Sequence, residues 1–208
     1  KDAGINDQRF CTLVSYVAVD GNDPGFKNPT KPVGPFYKDK PAIDAPMVET
    51  AHGWRRVVAS PRPEEIVNQK DIKLLIDNGY IVICVGGGGI PVVKKGNGFV
   101  GVDAVIDKDL ATALLAEVCG LDFLIIATDE KGVCIDYKKP TQKMLSKMTT
   151  SECQKYLDEG QFPAGSMGPK VQAAMEFAER TGKTSIITSI EDIPLAVKGQ
   201  AGTSIVKG

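Results

Sequence analysis

The run IVICVGGGGIPV at residues 81–92 decides the fold class. Ile81, Val82, Ile83, Cys84 and Val85 are apolar without interruption and end at four glycines. A strand with no polar alternation reads as buried on both faces, which is the habit of parallel sheets covered by helices. FLIIAT at 123–128 reads the same way, and CTLVSYVAV at 11–19 is a third β-branched run. Residues 185–188 and 203–206 add two short strands near the end of the sequence.

Between these strands the period changes to that of helices. A helix is predicted over 64–78, with Ile66, Ile72, Leu75 and Ile76 inward. Pro63-Glu64-Glu65 places acids in its first turn and Gly79 stops it. A second helix is predicted over 109–118, with Leu110, Leu114 and Leu115 on one side. A third covers 170–181, where Val171, Ala174, Met175 and Ala178 recur at helical spacing before Gly182. Strands alternating with amphipathic helices predict an α/β protein with a mainly parallel central sheet. Residues 20–59 break the pattern: the stretch 21–37 alone holds four prolines and three glycines, which reads as a loop-rich excursion or small subdomain. Residues 139–161 are polar and mixed, a region of short helices and loops.

The 208 residues suffice for one large domain or two small ones. With 25 basic and 26 acidic side chains there is no net pull toward nucleic acid or an anionic membrane. No apolar run reaches the roughly 20 residues of a membrane span. Cys11, Cys84, Cys119, Cys134 and Cys153 are an odd number without C-x-x-C spacing, which predicts a reduced, cytoplasmic chain; Cys84 and Cys134 lie in apolar runs and are expected in the core. His52, the single histidine, reads as an exposed loop residue, and no residues stand at zinc-ligand spacing. The sequence starts at Lys1 without Met and reads as a truncated chain.

Three places could carry chemistry. Gly86, Gly87, Gly88 and Gly89 follow a strand, where ligands bind in parallel sheets, and glycines let backbone amides approach an anion. Gly165-Ser166-Met167-Gly168-Pro169-Lys170 opens a helix. A lysine in a first turn opposes the macrodipole, so Lys170 either reaches a phosphate or is a solvated residue after a capping turn. Asp107-Lys108-Asp109 also precedes a helix, either as a charged cap or as a lysine held by carboxylates near a transferring phosphate. Gly182-Lys183-Thr184 imitates the end of a phosphate loop, but Phe177 stands where that motif needs its first glycine.

Five stretches together resemble the carbamate kinases of the amino acid kinase superfamily: NPTKPVGPFY (28–37), GWRRVVASPRPEEIV (53–67), IVICVGGGGIPV (81–92), GVDAVIDKDLATALLA (101–116) and FPAGSMGPKVQAA (162–174). The resemblance runs in order from about residue 10 onward. It implies a three-layer αβα sandwich that works as a homodimer in the cytoplasm. The implied reaction is reversible phosphoryl transfer between ATP and carbamate, giving ADP and carbamoyl phosphate with Mg²⁺, as in the ATP-forming end of arginine breakdown through the arginine deiminase route. It implies a remnant of an N-terminal carbamate-binding lobe at 1–19, continued at 60–103. A protruding subdomain follows at 20–59 and a nucleotide-binding lobe at 104–208. Lys31 is implied to lie on the protruding subdomain over the carbamoyl phosphate site, Lys108 and Lys170 to stabilise the transferring group, and Asp109 to orient them. Gly86 to Gly89 would line the small-substrate site. Thr128, Asp129, Ala164, Gly165, Ser166, Met167 and Gly168 would border the nucleotide.

The family's opening strand with its glycine-rich phosphate loop, and a further Ser-Gly-Asn-Gly segment, do not occur in this sequence. It is therefore expected to lack part of the phosphate site. Glu49-Thr50-Ala51-His52 stands where the family usually has an Asp-Ala-Gly-Arg-like run. Two other readings are carried forward: a kinase for another small acid, and a non-catalytic relative that senses a ligand or is purely structural.

Overall fold

The computed structural model describes residues 9–50, 52–163 and 165–208. The chain divides into two compact units, the first ending at Ala111 and the second running from Thr112 to Gly208.

In the first unit the predicted strand over 11–19 is two strands, β1 (Arg9–Thr12) and β2 (Tyr16–Ala18). The break lets one segment serve two sheets, because β1 pairs with the strand at 80–83 while β2 pairs with the one at 90–95. The proline-rich excursion is more ordered than its composition implies. After a 3-10 turn at Pro24–Phe26 come β3 (Lys31–Tyr37), β4 (Met47–Thr50) and β5 (Gly53–Val58). They form an antiparallel sheet with β5 in the middle, so the prolines of β3 lie on an edge strand, where a missing N–H costs no ladder bond.

The first predicted helix starts later than its acids indicate. Glu65–Ile66 is a short strand, β6, antiparallel to β2, and α1 covers Gln69–Asp77. Glu64 N–H donates to Ala18 O and Val67 N–H to Tyr16 O, so sheet pairing takes these residues from the helix. Gly79 ends α1 with φ +77°. Next come β7 (Tyr80–Ile83), β8 (Ile90–Lys95) and β9 (Gly98–Gly101). The two-sided burial expected at 81–85 is not found in this chain: β7 alternates, and Ile83 is 56% exposed. Helix α2 (Lys108–Val118) begins in the first unit. Its buried residues are Asp109, Ala111, Ala113, Leu115 and Ala116, whereas Leu110 and Leu114 are only half-buried.

The second unit starts with β10 (Phe123–Thr128), as expected. The mixed region resolves into the hairpin β11 (Val133–Ile135) and β12 (Lys143–Leu145), then β13 (Lys147–Thr149) and α3 (Thr150–Asp158). Helix α4 (Met167–Thr181) starts three residues before its expected position and leads to β14 (Thr184–Ser189), α5 (Ile193–Ala196) and β15 (Thr203–Val206). The sheet order is β10-β14-β15-β13, with β10 and β14 parallel in register from Phe123↔Thr184 to Thr128↔Ser189. Helix α4 packs on β14, β15 and β10 through Val171, Ala174, Phe177 and Ala178; Phe177 takes the inward place expected of Met175. The α/β class is as expected, and the pairing is mixed: β14 and β15 run antiparallel between two parallel pairs. Cys84 and Cys134 are half-buried rather than core residues, and the fully buried thiols are Cys119 and Cys153. His52 is exposed and meets the Phe36 ring edge-on at 5.7 Å.

Candidate functional site

The glycine run turns sharply after β7. Val85 has φ +45°, rare for a β-branched residue; its N–H donates to Ser15 Oγ at 3.3 Å, and Gly88 N–H donates back to Val85 O at 2.8 Å. The four glycines have two different jobs. A Cβ on Gly88 would lie 2.2 Å from Ile106 O, and one on Gly89 would lie 2.5 Å from Val17 Cγ2, so packing requires both. A Cβ on Gly86 or Gly87 would meet nothing within 4 Å among the described residues. With Gly89, Thr12 and Ser15, these two line a groove of about 450 Å³ at the ends of β1 and β7.

Ile106, pressed on Gly88, leads into the start of α2. Asp107 is 6% exposed, and its Oδ1 accepts from the N–H of Asp109 at 2.9 Å and of Leu110 at 3.3 Å, a side-chain cap for the helix. Its Oδ2 lies 2.5 Å from Lys31 Nζ. Burial opposes ionisation of Asp107. The Lys31 hydrogen bond and charge, with the two amide donors, outweigh burial and hold the carboxyl below the usual aspartate range. The two carboxylates of Asp107-Lys108-Asp109 therefore divide: Asp107 serves Lys31, and the buried Asp109 lies 3.8 Å from Lys108 Nζ. The Lys108 side chain is 54% exposed at the head of α2.

In the second unit a cleft of about 200 Å³ opens where β10 ends. Of the residues expected there, Thr128, Asp129, Ser166, Met167 and Lys170 line it. Gly165 and Gly168 are not among its lining, and Ala164 lies outside the described residues. Gly168 is buried, and a Cβ on it would come 3.1 Å from Pro163 O, so it lets the first turn of α4 close on the preceding loop. Lys170 therefore stands at the positive end of a 15-residue helix with no acid in its first turn, a combination that favours anions.

Sequence reasoning missed the other wall of the cleft, which includes Glu130, Tyr137, Gln161 and Phe162. Tyr137 sits between two residues at positive φ, Asp136 at +51° and Lys138 at +62°. This tight corner is held by Thr141 Oγ1 and Lys139 Nζ donating to Asp136, each at 3.0 Å, and by Asp136 N–H donating to Gln161 Oε1 at 3.0 Å. Tyr137 OH donates to Glu130, and that carboxylate raises the phenol's pKa. Phe162 is pinned by an edge contact to Tyr156 at 6.3 Å. The only signal in the sequence was the turn composition after the strand at 123–128. The imitation phosphate loop is structural: Gly182 caps α4 at φ +69°, and Lys183 Nζ donates to Gly120 O and Leu121 O, each at 2.8 Å.

The fold is that of an α/β protein with lysines at two helix starts, a glycine turn after a strand and a cleft at a strand's carboxyl end. Residues 27–189 match the model of the amino acid kinase family, and the chain belongs to that family. Among its members the chain is similar to the carbamate kinase of Thermoplasma acidophilum, 48% identical over 201 residues that cover 94% of this chain and 66% of the relative. It is equally similar, at 48%, to the Escherichia coli carbamate kinase-like protein YahI, covering 97% of this chain and 66% of that protein. The chain thus spans just under two thirds of the length of these curated relatives. The solved structure of carbamate kinase from Giardia lamblia bound to AMP-PNP superposes with a TM-score of 0.88 at 47% identity, covering all of this chain and 68% of that one.

Proposed function

We propose that the protein carrying this chain is a carbamate kinase, transferring a phosphoryl group between ATP and carbamate. The observation that carries this reading is Lys170, which lines the cleft at the end of β10 from the first turn of α4. A cation at the positive end of a helix suits an anionic ligand such as a nucleotide's phosphates. Thr128, Asp129, Ser166 and Met167 then border the adenine nucleotide. Tyr137 and Phe162 offer the cleft aromatic surface, and the Giardia carbamate kinase that superposes on this chain was solved with AMP-PNP.

In the ATP-forming direction a β-phosphate oxygen of ADP attacks the phosphorus of carbamoyl phosphate. A new P–O bond forms, the bond to the carbamate oxygen breaks, and carbamate leaves with that electron pair. No protein nucleophile is needed, and the catalytic demand is for positioning and positive charge. Lys108 and Lys170 are assigned to neutralise charge on the transferring group, and Asp109 to orient Lys108. Lys31 is assigned to the carbamoyl phosphate side, with the open backbone of Gly86 and Gly87 facing the small substrate. Magnesium accompanies the nucleotide. No group of three or more His, Cys, Asp or Glu that could hold a metal occurs among the described residues. A homodimer, a cytoplasmic setting and a role in arginine breakdown belong to the same proposal. No helix among the described residues is long and apolar enough to cross a membrane.

The test is ATP formation by the intact protein from ADP, carbamoyl phosphate and Mg²⁺. Turnover with carbamoyl phosphate and none with acetyl phosphate or aspartyl phosphate supports the reading. Turnover with another acyl phosphate alone makes it a kinase for a different acid, and binding of nucleotide without any turnover makes it a non-catalytic relative.

A further inference from the structure

Asp107 stands out among the buried charges because its two carboxylate oxygens serve different elements. Oδ1 caps α2 through the amides of Asp109 and Leu110, while Oδ2 takes the ammonium of Lys31, 76 residues earlier in the chain. Its backbone is fixed as well, since Ile106, 1% exposed, has its carbonyl pressed against Gly88. One carboxylate thus ties the β3 sheet to the helix start that bears Lys108 and Asp109. Lys31 keeps 29% of its side chain exposed. Its ammonium has three donors, so one can serve Asp107 while others meet an incoming oxyanion.

We propose that Asp107 is a positioning residue for the reaction: it holds the Lys31 ammonium against the start of α2, so carbamoyl phosphate meets a cation already in place. This rests on the carbamate kinase reading. A lysine on a free four-carbon stem must be ordered when substrate binds, and a lysine already paired has lost that freedom beforehand. The opposite role, in which Asp107 competes with the substrate for Lys31, predicts the opposite sign.

The experiment is steady-state kinetics of ATP formation by the intact protein with Asp107→Asn, and with Asp107→Ser as a second variant. Both side chains still cap the helix, and neither carries the charge that holds Lys31. The expected result is a rise of about tenfold in KM for carbamoyl phosphate, with KM for ADP and the melting temperature close to wild type. Adding Asp107→Asn to Lys31→Ala should then cost little more than Lys31→Ala alone, because both act through one contact. Asp107→Glu should recover part of the loss. A fall in KM for carbamoyl phosphate, or full additivity with Lys31→Ala, overturns the positioning role. Absence of turnover in the wild-type protein overturns the carbamate kinase reading and this role with it.

Discussion

Replacing Gly88 by alanine separates the two jobs of the glycine run. The new methyl would lie 2.2 Å from Ile106 O and 2.8 Å from Ile106 C, both backbone atoms that cannot rotate away. The residue would also have to hold φ +98°, a conformation that strains any side chain by about 1–3 kcal/mol. Forcing a methyl into a packed site adds about 1–3 kcal/mol. The expected loss is therefore about 2–6 kcal/mol of unfolding free energy, read by urea denaturation of the intact protein followed by circular dichroism. Turnover should fall as well, because any relief shifts the Ile106 carbonyl and with it the Asp107 cap. Gly87→Ala is the control, since its methyl meets nothing within 4 Å among the described residues and its φ is not positive. It should leave stability unchanged or raise it by about 0.5 kcal/mol. It should also weaken carbamoyl phosphate binding if the open backbone there faces the substrate. Gly88→Ala within about 1 kcal/mol of wild type would refute the packing argument, because the two penalties cannot both be absorbed.

Three further outcomes are expected. Lys170→Ala or Lys108→Ala should lower kcat by about two orders of magnitude or more while leaving the circular dichroism spectrum unchanged, and unaltered turnover would remove the lysine from its role. Burial, with Glu152 nearby, pushes the Cys153 thiol up to about 12 from the usual 9.0. The folded state therefore holds this proton more tightly than the unfolded chain. The stabilisation is present below about pH 9 and fades as pH rises toward 12, by about 1 kcal/mol at pH 10. The stability gap between wild type and Cys153→Ala, measured in reductant, should narrow by that amount between pH 8 and pH 10. Thr149 and Glu152 form a reciprocal capping box at the start of α3, so Thr149→Ala should cost about 1 kcal/mol in denaturation experiments.

How far the sequence could be read depended on the range of the interactions involved. The strand at 123–128 and the helix stop at Gly182 were legible because each is set by neighbours within a few residues. Glu65 and Ile66 were misread because a local helix-start signal lost to pairing with β2, a partner nearly 50 residues away. The cleft was half legible. Ser166, Met167 and Lys170 sit in a recognisable helix-start motif, whereas Tyr137 reaches the cleft through a two-residue left-handed corner that no periodicity announces.

The sequence by itself determined the α/β class, the lysine-bearing helix starts and the glycine turn after β7, since apolar period and backbone freedom are local properties of residue type. Tertiary structure alone decided which partner each group has. Asp107 is an ordinary helix-start acid in the sequence. It becomes the holder of Lys31 only because the fold brings two segments 76 residues apart to 2.5 Å, and at low exposure a charge must find such a partner. The same holds for the four glycines, identical in sequence, of which the fold presses two against Ile106 and Val17 and leaves two open.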